Sequence, residues 1–287
     1  MQAVSALDRA RDLLALTKPR LSTLVVFTAG GGLLLGTPQP TLQQWIGGVL
    51  GTTLMVAGAN AMNQAYEHDT DGLMARTRTR PVPMARLPQG WAWAWGTALC
   101  MAAVPLLWTT TPLATALAVL ALLLYVGVYT PLKRRTPWST FIGAVPGALP
   151  PLIGWTAATG RLDPGGLLLF LYLFFWQLPH SLAIGTFRRD EYLAAGLRVA
   201  PIGMPSWGFR LAMVSTALPL VGLVPWLWAL HLVGPVSAVV GAGLGGAFAI
   251  LCAWGALRDA SPIWARRVFG GSILLLSVVF AVAASGA

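Results

Sequence analysis

Residues 60–83 read NAMNQAYEHDTDGLMARTRTRPVP, and the character of the chain changes within this stretch. It begins as the end of a long apolar segment, passes through the acids Glu67, Asp69 and Asp71, and then carries three arginines, with a fourth at Arg86. The whole chain has only nine acids, so this clustering is unusual. An apolar segment that ends in clustered charge predicts a membrane helix whose end lies at the boundary with water.

The composition of the whole chain also favours a membrane protein. Of its 287 residues, 56% are hydrophobic and 10% are charged, and the mean hydropathy is +0.69. Soluble proteins carry about 25% charged residues. The net charge is +10, but the basic residues stand in short loops between apolar segments, which indicates membrane orientation and argues against nucleic-acid binding. Cys100 and Cys252 lie in apolar segments and are expected to be buried and unpaired.

Apolar segments of about membrane-spanning length recur nine times. They lie near residues 20–36, 42–66, 89–109, 112–130, 138–157, 165–187, 208–230, 233–256 and 263–285. No separate soluble domain, low-complexity segment or strong repeat is visible, so residues 1–287 are expected to form one domain. The predicted fold class is therefore all-α, a polytopic membrane protein with nine transmembrane helices.

The distribution of basic residues predicts the orientation of these helices. If the N-terminus lies in the cytoplasm and the segments alternate, every lysine and arginine except Arg161 falls on the cytoplasmic side. This is the pattern that the positive-inside rule requires. Every acid except Asp163 falls on the same side. The sequence therefore predicts a working surface that faces the cytoplasm.

Asn63, Glu67 and Asp71 stand at positions i, i+4 and i+8. At about 100° per residue, their oxygen-bearing side chains fall on one stripe of a helix. Mg²⁺ prefers oxygen ligands and is usually held by one or two carboxylates together with substrate phosphates. Arg76 and Arg80 follow, and arginine forms paired hydrogen bonds with phosphate oxygens. The stretch predicts a site for a metal-diphosphate headgroup on a lipid tail; the alternative is an interfacial salt-bridge cluster.

A second polar stretch, YTPLKRRTPWSTFIGAVPGALPPLIGW, covers residues 129–155. Tyr129 and Lys133 are four residues apart and can face one site, and Arg134 follows them in a basic turn. The next helix carries Gly143, Pro146, Gly147, Pro150, Pro151 and Gly154. This predicts a thin, broken helix that a flat ligand or another helix can approach closely. Membrane orientation for the basic turn and packing alone for the glycines are the alternatives.

A third polar stretch interrupts the sixth apolar segment. Gln177 and His180, with Pro179 between them, predict either a functional site or a buried structural hydrogen bond. Asp190 and Glu191 follow in the next loop on the cytoplasmic side. They predict a second acid centre facing the first, and two such centres can hold two Mg²⁺ around one diphosphate.

Together these stretches resemble the UbiA superfamily of intramembrane prenyltransferases, and more narrowly its protohaem IX farnesyltransferase branch. The first motif of that branch is matched by Asn63, Glu67, Asp71, Met74, Arg76, Thr77, Arg80 and Pro81. The following motifs are matched by Tyr129, Lys133, Arg134, Gly143, Ala144, Gly147, Ala148, Pro150, Pro151, Gly154 and Trp155. The last motifs are matched by Trp176, Gln177, Pro179, His180, Asp190 or Glu191, Tyr192, Ala195 and Gly196. Thr186 stands where the wider superfamily has an aspartate four residues before Asp190.

The resemblance implies roles for these residues. The catalytic residues it implies are Asn63, Glu67, Asp71, Lys133, His180 and Asp190, and the ligands of Mg²⁺ are Asn63, Glu67, Asp71 and Asp190. The substrate-binding residues it implies are Arg76, Arg80, Tyr129, Arg134, Gln177, Glu191 and Tyr192. For His180, contact with haem iron, contact with a propionate and management of a water are all open.

The resemblance also implies a reaction and a location. Farnesyl diphosphate would alkylate a vinyl group of haem B, with addition of water, to give haem O and diphosphate. Haem B is then a substrate, not a redox cofactor. The expected surroundings are a bilayer, namely the bacterial inner membrane, with the active site on the cytoplasmic side, and a downstream haem A synthase or oxidase assembly proteins are the expected protein partners.

Two other functions agree with parts of the sequence. A UbiA-type enzyme with another acceptor, such as a quinone-ring precursor or a chlorophyll-like macrocycle, would share the first motif. A membrane transporter with an acid-lined site would belong to a different class, but transporters place their sites near the bilayer midplane. Here almost all the charge lies at one predicted face, which favours chemistry on an amphipathic substrate.

Overall fold

The computed structural model describes residues 5–258 and 260–285, and within these ranges the chain is helical with no β-strand. The helices of the N-terminal half are α1 (Ala6–Leu16), α2 (Pro19–Gly36), α3 (Leu42–Tyr66), α4 (His68–Leu73), α5 (Gln89–Trp108) and α6 (Pro112–Leu132). Those of the C-terminal half are α7 (Ser139–Thr159), α8 (Pro164–Phe187), α9 (Arg189–Ala194), α10 (Ser206–Ala229), α11 (Pro235–Leu257) and α12 (Pro262–Ala284). The all-helical prediction is confirmed for the described residues.

Eight of these helices are long and apolar enough to cross a membrane: α3, α5, α6, α7, α8, α10, α11 and α12. A shorter apolar helix, Ser22–Gly36, forms most of α2. Each of the nine helices begins and ends within two residues of a segment predicted from the sequence. The complete α2 has 18 residues and spans about 27 Å, slightly less than the hydrocarbon core of about 30 Å.

Successive long helices connect at opposite ends of the bundle. At one end, Gln43 Nε2 donates to the Thr109 carbonyl at 2.5 Å. At the other end, the backbone N–H of Arg198 donates to the Lys133 carbonyl at 2.7 Å. All lysines and arginines except Arg161 lie at this second end or in the helix turns nearest to it, so we call it the basic end.

The backbones of α2 and α7 approach each other closely at two glycines. A Cβ placed on Gly32 would lie 2.0 Å from the Pro151 carbonyl oxygen, and one placed on Gly154 would lie 1.9 Å from the Ala29 carbonyl oxygen. Small residues allow backbones to approach where lipid provides no hydrophobic drive for association. The glycines and prolines of α7 therefore serve packing against α2 as well as the site described below.

The last turns of α6, at Leu123–Tyr129, are π-helical. Pro131 has no N–H to donate to the preceding turn, and the Thr130 hydroxyl donates to the Tyr125 carbonyl at 2.8 Å. Single π segments inside α-helices are frequent at functional sites. This one carries Tyr125 and Tyr129, whose ring centroids are 5.5 Å apart.

Candidate active site

A charged cavity of about 170 Å³ lies at the basic end, between the polar ends of α3 and α6. The residues that line it are Lys18, Asn63, Glu67, Thr70, Asp71, Met74, Arg76, Arg80, Tyr125, Tyr129, Lys133, Tyr192, Leu197 and Val199. Four cations thus face two carboxylates. The excess of positive charge favours an anionic ligand.

The oxygen-bearing stripe predicted from residues 63–71 forms one wall of this cavity. Although α3 ends at Tyr66, helical hydrogen bonds continue: the Glu67 N–H donates to the Asn63 carbonyl at 2.9 Å, and the Asp71 N–H donates to the Glu67 carbonyl at 2.8 Å. The Asn63 side-chain amide also donates to Glu67 Oε2 at 2.9 Å. The spacing of four residues therefore does bring all three side chains to one cavity.

Each polar side chain of this stripe is paired with a cation. Lys18 Nζ donates to Asn63 Oδ1 at 2.7 Å, and Lys133 Nζ lies 2.8 Å from Glu67 Oε1. Arg80 pairs with Asp71 at 2.5 Å, where the aspartate side chain is only 2% exposed. The ammonium of Lys133 also lies over the ring of Tyr129, 4.5 Å from its centroid.

The ion pairs keep the cavity charged despite its burial. Burial alone would raise the pKa of the Glu67 carboxyl, but Lys133 and Lys18 outweigh it and hold that pKa below its usual value. Burial alone would lower the pKa of Lys133, but Glu67 outweighs it and raises that pKa above its usual range. Burial, with Arg80 and Lys133 nearby, lowers the pKa of Lys18 to about 7. Near neutral pH the Glu67 carboxylate is therefore ionised.

The donor atoms of this cavity fit Mg²⁺ bound together with phosphate oxygens. Among the described residues, no three His, Cys, Asp or Glu side chains come together as a metal site. Mg²⁺ does not need such a cluster, because it keeps several waters and is usually held by one or two carboxylates with substrate phosphates. Glu67 and Asp71 supply the carboxylates, and Asn63 supplies an amide oxygen.

Two further cavities adjoin the charged one. The apolar cavity, about 230 Å³, is lined by Ser22, Val25, Met55, Val56, Ala59, Asn60, Ala121, Leu122, Tyr125, Pro146, Gly147 and Pro150. The mixed cavity, about 250 Å³, is lined by Tyr125, Tyr129, Thr140, Gly143, Ala144, Gly147, Gln177, Ser181, Ile184, Tyr192, Val199 and Ala200. Tyr125 lines all three cavities, so its ring stands where they meet.

Most of the predicted substrate-binding residues line these cavities, but two do not. Arg134 forms an ion pair with Asp69, and both side chains are largely exposed. Glu191 pairs with Arg188 at 2.6 Å and lines none of the three cavities, whereas its neighbour Tyr192 lines two of them.

The expected second acid centre is not assembled in this structure. Asp190 is exposed on the short helix α9 and does not line the charged cavity. Residues two positions apart on a helix are rotated by about 200° around its axis, so their side chains lie on nearly opposite faces. Because Tyr192 faces the cavity, Asp190 faces the opposite side.

Gln177 and His180 separate in the structure. Gln177 lines the mixed cavity and donates from Nε2 to the Ala144 carbonyl at 2.7 Å. His180 lines none of the three cavities; its Nδ1 is 2.7 Å from the Ser272 hydroxyl, and its ring stacks on Trp176 with centroids 4.9 Å apart. The structure therefore places His180 in a partly buried hydrogen bond between α8 and α12, which agrees with the structural alternative stated above.

Several residues of the charged cavity are not among the predicted site residues, and Lys18 and Tyr125 are the most informative of them. The sequence indicates for Lys18 only a contribution to membrane orientation, because its hydrogen-bond partner Asn63 is 45 positions away in the chain. Its left-handed backbone (φ 51°) is uncommon outside glycine. Tyr125 carries a signal that was available, because Tyr125, Tyr129 and Lys133 recur every four residues.

Comparison with known proteins gives a family match over most of the chain. The model of the UbiA prenyltransferase family matches residues 24–284. A protoheme IX farnesyltransferase of Anaeromyxobacter sp. (strain Fw109-5) is 44% identical over 284 residues, which cover 99% of this chain and 96% of the relative. The protein of the same name from Sorangium cellulosum is 47% identical over 240 residues, covering 83% of this chain and 86% of the relative.

Solved structures share the fold at low sequence identity. A structure described as digeranylgeranylglyceryl phosphate synthase superimposes with a TM-score of 0.80 and 16% identity, covering 97% of this chain and 98% of the other. A UbiA homologue from Archaeoglobus fulgidus bound to DMAPP and Mg²⁺ superimposes with a TM-score of 0.66 and 17% identity, covering 94% and 98%. At these identities the likeness establishes the arrangement of helices.

Proposed function

Because this chain belongs to the UbiA prenyltransferase family, we propose that it transfers a farnesyl group from farnesyl diphosphate to a vinyl group of haem B, giving haem O and diphosphate. The observation that carries this proposal is the near full-length identity of 44% with a protoheme IX farnesyltransferase. The geometry supports it, because a charged cavity that suits a diphosphate adjoins two less charged cavities for two hydrophobic substrates.

The charged cavity would bind the diphosphate group. Arg76, Arg80 and Lys133 supply cations around it, and Lys18 adds a fourth basic group. Negative charge grows on the diphosphate as the allylic C–O bond breaks, and cations fixed in advance lower that barrier. When bound, Mg²⁺ supplies further neutralisation of the leaving group, and Asn63, Glu67 and Asp71 would hold it. Asp190 as an additional ligand, and Arg134 and Glu191 as substrate contacts, stay predictions.

The mixed cavity would bind the acceptor. Haem B has apolar faces and a polar edge, and this cavity combines glycines on α7 with polar groups such as Gln177 and Thr140. The glycine face is crowded: a Cβ on Gly147 would lie 2.2 Å from Gln177 Oε1. Glycine at this position leaves room for the Gln177 side chain at the wall of the cavity.

The reaction would occur where the cavities meet. The vinyl π electrons form a bond to the allylic carbon while the C–O bond to diphosphate breaks. The resulting cation on the former vinyl group takes hydroxide from water, and the proton of that water is released. Tyr125 lies at this junction, and the face of its aromatic ring can stabilise a cation. The role of His180 stays a prediction.

The reaction gives a direct test. Purified protein supplied with haem B, labelled farnesyl diphosphate and Mg²⁺ is expected to yield labelled haem whose mass exceeds that of haem B by one farnesyl and one hydroxyl group. Chelation of divalent metal is expected to stop the reaction. Label found on a quinone precursor would indicate another acceptor, and unchanged label carried across vesicle membranes would indicate transport; either result would contradict the proposal.

The orientation in the membrane belongs to the same proposal. We propose that α2 adds a ninth span to the eight longer helices, within a single domain, and that the basic end and active site face the cytoplasm of a bacterial inner membrane. The support is the concentration of arginine and lysine at the basic end. Association with a haem A synthase or with oxidase assembly proteins stays a prediction.

Labelling of introduced cysteines tests this orientation. Both native cysteines, Cys100 and Cys252, are buried, so they provide a low background. Arg78→Cys at the basic end is expected to react with a membrane-impermeant maleimide only in inside-out vesicles, and Gln39→Cys at the other end only in right-side-out cells. Both side chains are exposed. Labelling of Arg78→Cys in intact cells would reverse the proposed orientation.

A further inference from the structure

We propose that Met55, in the part of the apolar cavity far from the charged one, limits the length of the isoprenoid tail that the proposed function places there. This inference rests on the proposed function only in requiring a prenyl diphosphate as donor. Of the twelve residues that line the cavity, only Ser22, Asn60 and Tyr125 have polar side chains. An isoprenoid has no hydrogen-bonding group, so such a lining matches it.

The position of the apolar cavity suits a tail attached to a diphosphate in the charged cavity. Tyr125 lines both cavities, and Asn60 in the apolar cavity precedes Asn63 in the charged cavity by one turn of α3. A chain that leaves the diphosphate therefore passes the ring of Tyr125 and continues into the bundle along α3.

The mixed cavity suits the tail less well. Half of its twelve lining residues have polar side chains: Tyr125, Tyr129, Thr140, Gln177, Ser181 and Tyr192. Filling that cavity with hydrocarbon would place these groups against an apolar ligand, and burial of polar groups without partners is costly. The polarity of the two linings therefore favours the tail in the apolar cavity and the acceptor in the mixed cavity.

The apolar cavity ends on a packed cluster of side chains. Met55 lines the cavity, is 2% exposed, and belongs to a buried cluster further from the basic end. Other members of that cluster are Leu33, Cys100, Ala103, Leu107, Ala114, Ala118, Leu149, Leu152, Ile153 and Ala157. Met55 precedes Asn63 by eight residues, which is about 12 Å along α3. A tail that reaches Met55 therefore meets this packed cluster.

The test measures donor binding without acceptor. The affinities of the purified protein for geranyl, farnesyl and geranylgeranyl diphosphate are determined with Mg²⁺ by competition against labelled farnesyl diphosphate. Met55→Ala enlarges the cavity, and we expect it to raise the affinity for geranylgeranyl diphosphate relative to that for farnesyl diphosphate by about tenfold or more. Met55→Phe shortens the cavity, and we expect it to lower the affinity for farnesyl diphosphate relative to that for geranyl diphosphate by a similar factor. Ratios measured in one sample do not depend on the fraction of folded protein.

Met101 provides a matched control. It lies on α5 with 70% of its side chain exposed, and Met101→Ala and Met101→Phe are expected to leave all ratios unchanged. Unchanged ratios in both Met55 variants would overturn the proposal. So would a change of length preference in Ile184→Phe, which fills the mixed cavity, in place of the Met55 variants.

The same measurements separate this inference from the proposed reaction. If the length preference follows Met55 but no farnesylated haem forms, the tail site stands and the acceptor is wrong. If no prenyl diphosphate binds to the parent protein, both the tail site and the proposed reaction are wrong.

Discussion

Replacement of Asp71 by asparagine is expected to lower the rate of prenyl transfer by about 10²–10³-fold. Its carboxylate lines the charged cavity, is 2% exposed, and is one of two carboxylates there that can hold Mg²⁺. Asparagine keeps the shape but removes the negative charge that would hold Mg²⁺. With Mg²⁺ bound more weakly, the leaving diphosphate loses part of its neutralisation. Single-turnover formation of farnesylated haem, measured over a range of Mg²⁺ concentrations, should show both a lower maximum and a higher metal requirement.

Asp69 offers a control only two residues away. Its side chain is 55% exposed and pairs with Arg134, and exposed pairs of this kind contribute about 0–1 kcal/mol. Asp69→Asn should therefore turn over at nearly the parental rate. Asp71→Asn also leaves Arg80 without its partner, so the thermal unfolding of both variants is compared to separate lost catalysis from lost folding. Parental turnover in Asp71→Asn would exclude this carboxylate from the site.

Replacement of Gly154 by valine is expected to prevent α2 and α7 from packing. Even the first added carbon would lie 1.9 Å from the Ala29 carbonyl oxygen, so the two backbones must separate. Overpacking that side chains can absorb costs about 1–3 kcal/mol, and here the obstacle is backbone. We expect a destabilisation above about 3 kcal/mol, visible as loss of folded protein and a lower midpoint of thermal unfolding in detergent.

A second glycine in a helix of similar length isolates the effect of this contact. A Cβ on Gly246 of α11 would meet no atom within 4 Å. Gly246→Ala should keep or slightly raise the unfolding midpoint, because alanine is favoured over glycine in helices by about 0.5–1 kcal/mol. If Gly154→Val and Gly246→Ala unfolded at the same temperature, the close approach of α2 and α7 would not stabilise the bundle.

The helices and their order were predictable because hydropathy alone carries that information. In lipid, apolar segments must form helices so that their backbone N–H and C=O groups are hydrogen-bonded. All nine predicted segments are helical here. The spacing of Asn63, Glu67 and Asp71 was equally informative, because the helical hydrogen bonds continue beyond Tyr66. The short first segment, residues 20–36, was also visible in the sequence, and α2 is the shorter apolar helix of the structure.

The parts of the site that were missed depend on long-range contacts or on helix phase. Lys18 reaches Asn63 across 45 positions of sequence, and no local pattern reports such a contact. Asp190 was predicted as a metal ligand, but it does not line the charged cavity here, whereas Tyr192 on the same short helix α9 does. Placement of Asp190 required the direction of α9, which motif spacing does not contain. The resemblance to the UbiA family, in contrast, is confirmed by the match over residues 24–284.

The pairing of Glu67 with Lys133, and of Asp71 with Arg80, has a consequence for how a donor enters. Neither carboxylate is an unpaired charge in a poorly hydrated interior, since each already has a counter-ion from the protein. Under the proposed function, binding of the donor would be an exchange of partners: Glu67 and Asp71 would hold Mg²⁺, and Lys133 and Arg80 would be freed to contact the phosphate oxygens. Each carboxylate would thus keep a cationic partner before and after the exchange, which avoids the cost of an unpaired buried charge.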